Sequence, residues 1–481
     1  MRRALLLAAL AALALASSAA AFVPTDPLAT KQWYLAQDHA FDTWPTPPTG
    51  LQPVKVAIVD SGVDNTLPDF QGGRILDGRS FVGGSPFVDT EGHGTFVAGV
   101  IAANLDTQGI VGIAYTAQLL VAKVVKPDGT IPLEAEVEAI RWAADSGARV
   151  INLSLGGVRD PADRKRDTYS AAEAAAVAYA YAKGAVVVAA VGNADEAYST
   201  PWPYASYPAA LPHVIGVSAL TESGNVPEYS DRDPYYNDIS APGSGIFSTF
   251  PSTLTALRPT CTDQGFSDCG SDDYSTPEGT SFAAPQVSAA AAVLFALDPD
   301  LTNSQVAALL EHTADDVNAG NGCPRCALLR DPLSGWGRLN IASAVAALSG
   351  PLPSADKYET NDDAGTQAHT LWGTRQNVAA TLDYYDDRVD VYRVQLRKKQ
   401  RLNASVAASW NGANVALELW RPGTRKVDQP STVRKLRAAQ AARPGSRQKL
   451  RFVAPASGWY YVEVKATSPG SGAYSLRLSK S

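Results

Sequence analysis

Histidine, with five copies, and cysteine, with four, are scarce in this chain of 481. Basic residues do not outnumber acidic ones. The net charge is −7, so nothing marks a nucleic-acid partner. No acidic tract argues for disorder. Beyond the N-terminus no apolar run reaches the ~20 residues that cross a bilayer, and no membrane span is expected. A zinc site needs further close ligands, and Cys323-Pro-Arg-Cys326 has no second pair beside it. No cysteine follows the N-terminal apolar run, which excludes a bacterial lipoprotein.

What is present fits a folded, exported protein. With 45% hydrophobic and 19% charged residues, a large core can form. At roughly 100–200 residues per domain the length allows two or three. "MRRALLLAALAALALASSAAAF" joins a basic start to a short apolar run and small residues. That is the pattern of a secretory signal over residues 1–21, cut near Ala19 or Ala21, and it implies secretion of the bacterial type. The cysteines fit an oxidising compartment. Cys261 and Cys269 bracket a Gly/Asp/Ser loop, so two local disulfides are expected; four cysteines allow three connectivities, and a redox C-x-x-C is the rival reading.

From residue 53 to about 348, apolar runs alternate with Ala-rich helical ones. Residues 54–60, 117–125, 148–156, 184–193 and 213–220 read as buried strands. Residues 95–103, 133–147 and 170–184 read as helices. The alternation predicts an α/β fold, a parallel sheet flanked by helices. After the Pro/Ser-rich "SGPLPS" the period becomes two, over 388–396, 414–420, 458–466 and 472–478. That predicts a small all-β sandwich at 355–481, following a first unit at 22–350. The basic stretch 434–451 reads as a solvated loop or short helix.

Of the five histidines, His93 alone has a glycine on each side, Gly92 and Gly94. Bare flanks suit a ring that substrate must approach. A histidine base needs an orienting carboxylate and a proton donor. Asp60 ends the strand 54–60, and sites in open parallel sheets form at carboxyl ends of strands. A buried aspartate is costly unless paired; an Asp opening a turn is the ordinary alternative. Ser281 stands at the entrance of an apolar helix, where a serine is commonly an N-cap. Unpaired N–H groups there also suit an oxyanion, and Pro285 reads as tolerated in the first turn. Asn193 ends another strand, where its amide can donate to a developing negative oxygen.

Taken in order, "VAIVDSGVD", "GHGTFVAG", "NLSLGG", "AAVGN" and "GTSFAAP" resemble the subtilisin-like serine proteases over about residues 24–348. The order Asp…His…Ser is that of subtilisin. The resemblance implies Ser281 as nucleophile, His93 as general base and acid, Asp60 as its orienting partner, and Asn193 with the Ser281 N–H as oxyanion hole. It implies a substrate-binding strand at Ser154, Leu155 and Gly156, an opposite strand at Gly129, and pocket walls at Ala190, Val191 and Gly192. Polypeptide substrates and a monomer are expected. Phe96, Phe282 and Gln286 stand where the family has His, Met and His, which implies altered packing around intact catalytic groups. A catalytically silent binding protein on the same scaffold is the other reading; a peptide-ligating role uses the same groups.

The resemblance also implies a structural Ca²⁺, through Asp26, Asp69 and Asp106 with the carbonyls of Asn104, Gln108 and Ile110. The family has a folding pro-domain after the signal; here Phe22 leads almost at once into mature-like "DPLATKQW", so either the chain folds unaided or something else supplies that function, and self-processing at that junction is not assumed. Residues 355–481 resemble the bacterial pre-peptidase C-terminal domain. There Asp356, Glu359, Asn361, Asp362 and Asp390 are either a second calcium site or, as the favoured expectation, surface acids.

Overall fold

β-Branched runs without polar alternation form strands buried on both faces when helices cover the sheet from either side. The computed structural model describes residues 21–194, 199–251, 254, 274–275, 278–353, 356–385, 387–427 and 435–481. Residues 1–20 of the signal-like segment and the Cys261–Cys269 loop lie outside them.

The strands are β1 (Lys55–Asp60), β2 (Ile75–Ser80), β3 (Gln118–Lys123), β4 (Val150–Leu153), β5 (Val186–Ala190), β6 (Val214–Leu220) and β7 (Ile239–Pro242). They form one sheet in the order β2-β3-β1-β4-β5-β6-β7, with every neighbouring pair parallel. The α/β expectation holds. The two edge strands went unread because neither is an apolar run. β2 is "ILDGRS", largely open to solvent, and β7 is "ISAP", ending on a proline that an edge tolerates.

The helices sort onto the two faces. Leu133–Asp145 (α3) and Ala171–Ala182 (α4) cover one face, packing on Ala57, Val59, Ile151 and Val187. His93–Ala102 (α2) and Thr280–Leu297 (α5), together with Asn303–His312, cover the other, on Val56, Ile58, Val188 and Val217. A single turn, Tyr34–Gln37 (α1), lies before the sheet. α5 is apolar enough to cross a membrane, but 89% of it is buried inside the protein, so its composition is that of a core helix. Cys323 and Cys326 are joined as a disulfide.

Beyond residue 356 two sheets face each other, antiparallel except where His369–Thr370 pairs parallel with Val389–Leu396. One contains Val389–Leu396, Gly458–Ala466 and Val415–Trp420; the other contains Arg375–Asp383, Ser471–Lys480 and Arg401–Ala408. Alternate residues such as Val378, Tyr392, Leu402, Val462 and Leu476 point inward to a shared core. Most of the described part of the stretch 434–451 is strand rather than loop or helix. Arg437–Ala441 and Arg447–Val453 are strands, one in each sheet. In Arg447–Val453 the outward residues Arg447, Lys449 and Arg451 are basic, which hid the alternation.

One internal pair controls stability on the α3–α4 face. Glu136 and Glu173 are both buried. Burial, then the Glu173 charge, pushes the Glu136 carboxyl up to about 9, and burial raises Glu173 as well. A carboxyl raised in the folded state keeps its proton there while the unfolded chain has lost it. Stability is therefore full at low pH and falls as pH rises from the ordinary carboxylate range toward 9. Glu136→Gln keeps a donor toward Glu173 without the charge. Its melting temperature should exceed that of the parent, by a margin growing from pH 5 to pH 9 in thermal unfolding; a margin independent of pH would refute the assignment.

Candidate active site

Asp60 is the last residue of β1 and is almost wholly buried. Its Oδ1 accepts from the Ser61 N–H at 2.7 Å. His93 is the first residue of α2, and its Nδ1 lies 2.8 and 2.9 Å from the two Asp60 oxygens. The pair forms because α2 enters directly against the end of β1. The glycines around His93 make that approach possible. A Cβ on Gly94 would sit 2.1 Å from the Gly62 carbonyl oxygen and 3.1 Å from Asp60 Cβ. Gly92 has φ 86°, and a Cβ there would meet the Phe250 ring at 2.1 Å. The bare flanks thus serve close packing behind the ring rather than approach of substrate in front of it.

The first turn of a helix leaves N–H groups without intrahelical partners. Asp89 serves several here. Its Oδ1 accepts from the Gly92 N–H (2.8 Å) and the Ser61 hydroxyl (2.8 Å); its Oδ2 accepts from Thr95 N–H (2.9 Å) and Oγ1 (2.6 Å). Ser61 Oγ in turn accepts from the Gly94 N–H at 2.9 Å. Lys123, paired with Asp60 across β1 and β3, donates to the carbonyls of Ser61 (2.6 Å) and Val88 (2.8 Å). Burial lowers the Lys123 pKa, against the pull of Asp89, Glu91 and Asp60. Sequence reasoning named none of Ser61, Asp89 or Lys123. The available signal was a charged residue closing an apolar strand.

Ser281 is the second residue of α5. Pro285 is the sixth, in the second turn, and not in the first turn as the sequence reading had it. A proline there has no N–H for the carbonyl four residues back, which is that of Ser281. Ser154, just past β4, supplies the substitute: its hydroxyl donates to the Ser281 carbonyl at 2.8 Å. Ser281 Oγ donates to the Ser154 carbonyl at 3.2 Å. Behind Ser154, Asn152 Nδ2 donates to its hydroxyl (2.9 Å), and Ser288 of α5 donates to Asn152 Oδ1 (2.8 Å). A buried asparagine inside a β strand was the unread signal.

Asn193 follows β5. Its Oδ1 accepts from Thr280 N–H (3.0 Å) and Oγ1 (3.1 Å), which fixes the amide and turns its Nδ2 end toward Gly279. Asp60, His93, Ser281 and Asn193 all line one cleft of about 630 Å³, with Gly129, Ser154, Leu155, Gly156, Ala190 and Gly192. Ser61, Glu91, Val125, Ile131 and Thr280 also line it. Val191 does not; it is fully buried in the core under α4. Phe282 packs edge-on against Phe96 (4.7 Å) and beside the His93 ring (5.3 Å). Gln286 donates to the carbonyls of Pro242 and Phe282.

The acids read as calcium ligands fall in two places. Asp26 Oδ1 accepts from the N–H groups of Asp106 and Thr107 (3.0 and 3.1 Å), and its Oδ2 is buried with no hydrogen-bond partner. Burial raises the Asp26 pKa, the Asp106 charge adding to it. Asp69 Oδ1 accepts from the Ile110 N–H (3.0 Å), and Asp106 Oδ1 from the Gln108 N–H (3.1 Å). The Asn104 side-chain oxygen is held by Arg74 at 3.0 and 2.9 Å, leaving its carbonyl as the donor in question. In the C-terminal unit, ligand atoms of Asp356, Glu359 and Asp390 lie within 4.8 Å of one another together with Asp387, which the sequence did not single out, while Asn361 and Asp362 stand outside that group. These are not surface acids. Asp390 is fully buried, and one oxygen each of Glu359, Asp387 and Asp390 is buried without a hydrogen-bond partner. Burial, then the neighbouring carboxylates, holds Asp387 and Asp390 well above the usual range. Asp390 Oδ2 accepts from the Tyr474 hydroxyl.

Residues 52–327 match the model of the subtilase family, Peptidase_S8. Subtilisin DY of Bacillus licheniformis is 35% identical over 265 residues, which cover 55% of this chain and 84% of that one. Subtilisin E of Bacillus subtilis is 35% identical over 263 residues, 54% of this chain and 60% of its own length. A protease of Pseudoalteromonas arctica superposes with a TM-score of 0.54 at 27% identity, covering 68% of this chain and 99% of that one. With the sheet, the two helix entrances and the cleft in place, the chain belongs to the subtilase family and is a serine-type endopeptidase.

Proposed function

We propose that the chain is an exported endopeptidase cutting polypeptides with Asp60, His93 and Ser281, assisted by Asn193. The observation that carries this is the Asp60–His93 pair opening into the same cleft as Ser281. Asp60 keeps the proton on Nδ1, so Nε2 is the basic nitrogen. Nε2 takes the Ser281 hydroxyl proton as Oγ bonds to the scissile carbonyl carbon, then returns it to the leaving amine. Water repeats the cycle on the acyl-enzyme. Negative charge on the carbonyl oxygen is met by the Ser281 N–H and Asn193 Nδ2, the latter pre-aligned by Thr280. Ser154, Leu155 and Gly156 receive an extended peptide through main-chain hydrogen bonds, with Gly129 opposite. Ala190 and Gly192 wall the side-chain pocket. Residues 22–350 form the peptidase unit and 355–481 an appended sandwich; residues 1–21 serve as the export signal.

Calcium suits two donor sets: the carboxylate cluster of the C-terminal unit and, by resemblance to the family, the acids and carbonyls of the N-terminal loop. Asp26, Asp69 and Asp106, with the carbonyls of Asn104, Gln108 and Ile110, would hold one ion at the N-terminal loop. The partnerless Asp26 oxygen supports this. Asp356, Glu359, Asp387 and Asp390 would hold another, since several buried carboxylates need a cation to offset them. In both the ion is structural.

Labelling, kinetics and thermal unfolding test this. A serine-directed phosphonylating reagent should label Ser281, and Ser281→Ala should have no casein hydrolysis; retained hydrolysis refutes the assignment, and peptide binding without any turnover in the parent marks a silent scaffold. Asn193→Ala should lose about 10²–10³ in kcat with KM little changed, the size known for this donor in subtilisin. Ser154→Ala leaves the Ser281 carbonyl unmet and should lower stability by about 1–3 kcal/mol. Chelation should lower the melting temperature, since an ion at 100 times its Kd contributes about 2.7 kcal/mol. Asp26→Asn should shrink that calcium-dependent increment without lowering the melting temperature in chelator.

A further inference from the structure

We propose that His213, Glu359 and Asp362 form a transition-metal site of the zinc class, joining the peptidase unit to the C-terminal sandwich. His213 directly precedes β6, with left-handed backbone at φ 65°, and its side chain is 1% exposed. Its ring stacks on Tyr181 at 4.1 Å and 21°. That stacking fixes the ring plane. Nε2 lies 3.2 Å from Asp362 Oδ1, 3.3 Å from Asp362 Oδ2 and 3.5 Å from Glu359 Oε2. The three ligand atoms fall within 4.8 Å of one another.

The spacing is that of ligands around an ion. With metal–ligand bonds of about 2.1 Å, two ligands of a tetrahedral site sit ~3.4 Å apart. The observed 3.2 and 3.5 Å bracket that edge. The Glu359 carboxyl group is only partly satisfied: its Oε2, the oxygen facing His213, also accepts from the Asn361 N–H at 3.2 Å. Glu359 has a side chain only 5% exposed, and its Oε1 is buried without a hydrogen-bond partner. One imidazole nitrogen with two carboxylates suits zinc-like ions, whereas calcium takes oxygen. The nitrogen thus separates this site from the all-oxygen cluster that Glu359 shares with Asp356, Asp387 and Asp390. His213 and Asp362 both line a groove with Arg159, Tyr236 and Lys426, and Asp362 is 22% exposed. A hydrated ion can enter there, and the fourth position stays open to water.

One ligand comes from the peptidase unit and two from a segment 149 residues further on in the case of Asp362. An ion held by all three restrains the sandwich against the sheet. Without an ion, the same groups are a histidine ring paired with two carboxyl groups.

The test uses the full chain carrying Ser281→Ala, so that it does not digest itself. The protein is stripped with chelator, returned to excess Ca²⁺, and titrated with Co²⁺. One equivalent should bind and give the intense visible bands of a four-coordinate cobalt ion, displaced by Zn²⁺ and not by Ca²⁺. His213→Gln should abolish the bands or weaken binding by about tenfold or more. Asp362→Asn, whose side chain reaches solvent, should weaken it as well and carries the test if His213→Gln does not fold. No cobalt bands, bands unchanged in both variants, or displacement of Co²⁺ by Ca²⁺ would each overturn the proposal. Saturating Ca²⁺ keeps filling of the neighbouring carboxylates from being counted as this site.

Discussion

The contact on which the cleft depends is the entry of α2 against the end of β1, where Gly94 meets the Gly62 carbonyl with no room for a methyl group. That approach sets the His93 ring against both oxygens of Asp60. It also makes the neighbouring helix fit. α5 lies beside α2 with alanines at its core positions, and Phe96 and Phe282 fill the space between their entrances. Two helix starts and two strand ends thereby open into one cavity.

Behind the cleft runs a chain of polar side chains inside an apolar core. Buried polar groups are costly unless each finds a partner. Here the sequence of partners begins with a defect. Pro285 cannot bond the Ser281 carbonyl, Ser154 does so instead, and Asn152 and Ser288 hold Ser154 in turn. The segment that follows β4 and the start of α5 are thus tied by side chains rather than by sheet hydrogen bonds. Asp89 does the equivalent work at the start of α2. Gln286 bridges the carbonyls of Pro242 and Phe282, a role a histidine of the usual family pattern would fill differently.

The C-terminal sandwich rests on the peptidase unit through rings and charges. Arg330 stacks over Tyr385 at 3.6 Å, and Tyr235 faces Tyr384 and Tyr385. His213 reaches the acidic segment at Glu359 and Asp362. An interface built from rings and charged groups holds two folded units without merging their cores. Its acids are buried more deeply than surface charges would be, so their electrostatic cost falls on the junction itself.

Local pattern determined the elements whose burial is uniform. The β1, β3, β4, β5 and β6 runs, the α3 and α4 segments and the strand Gly458–Ala466 were legible because side-chain periodicity reports which faces meet water. The residues Asp60, His93, Asn193 and Ser281 were legible from their motifs. What the pattern did not contain is contact between distant segments. The edge strands β2 and β7, the paired strands within 434–451, the inward turn of Val191 and the burial of Asp390 all depend on a partner far along the chain. The same holds for Pro285 and Ser154. A proline shows in the sequence that a carbonyl goes unmet; only the folded chain decides which hydroxyl arrives to meet it, because hydrogen-bond reach is a property of space and not of spacing.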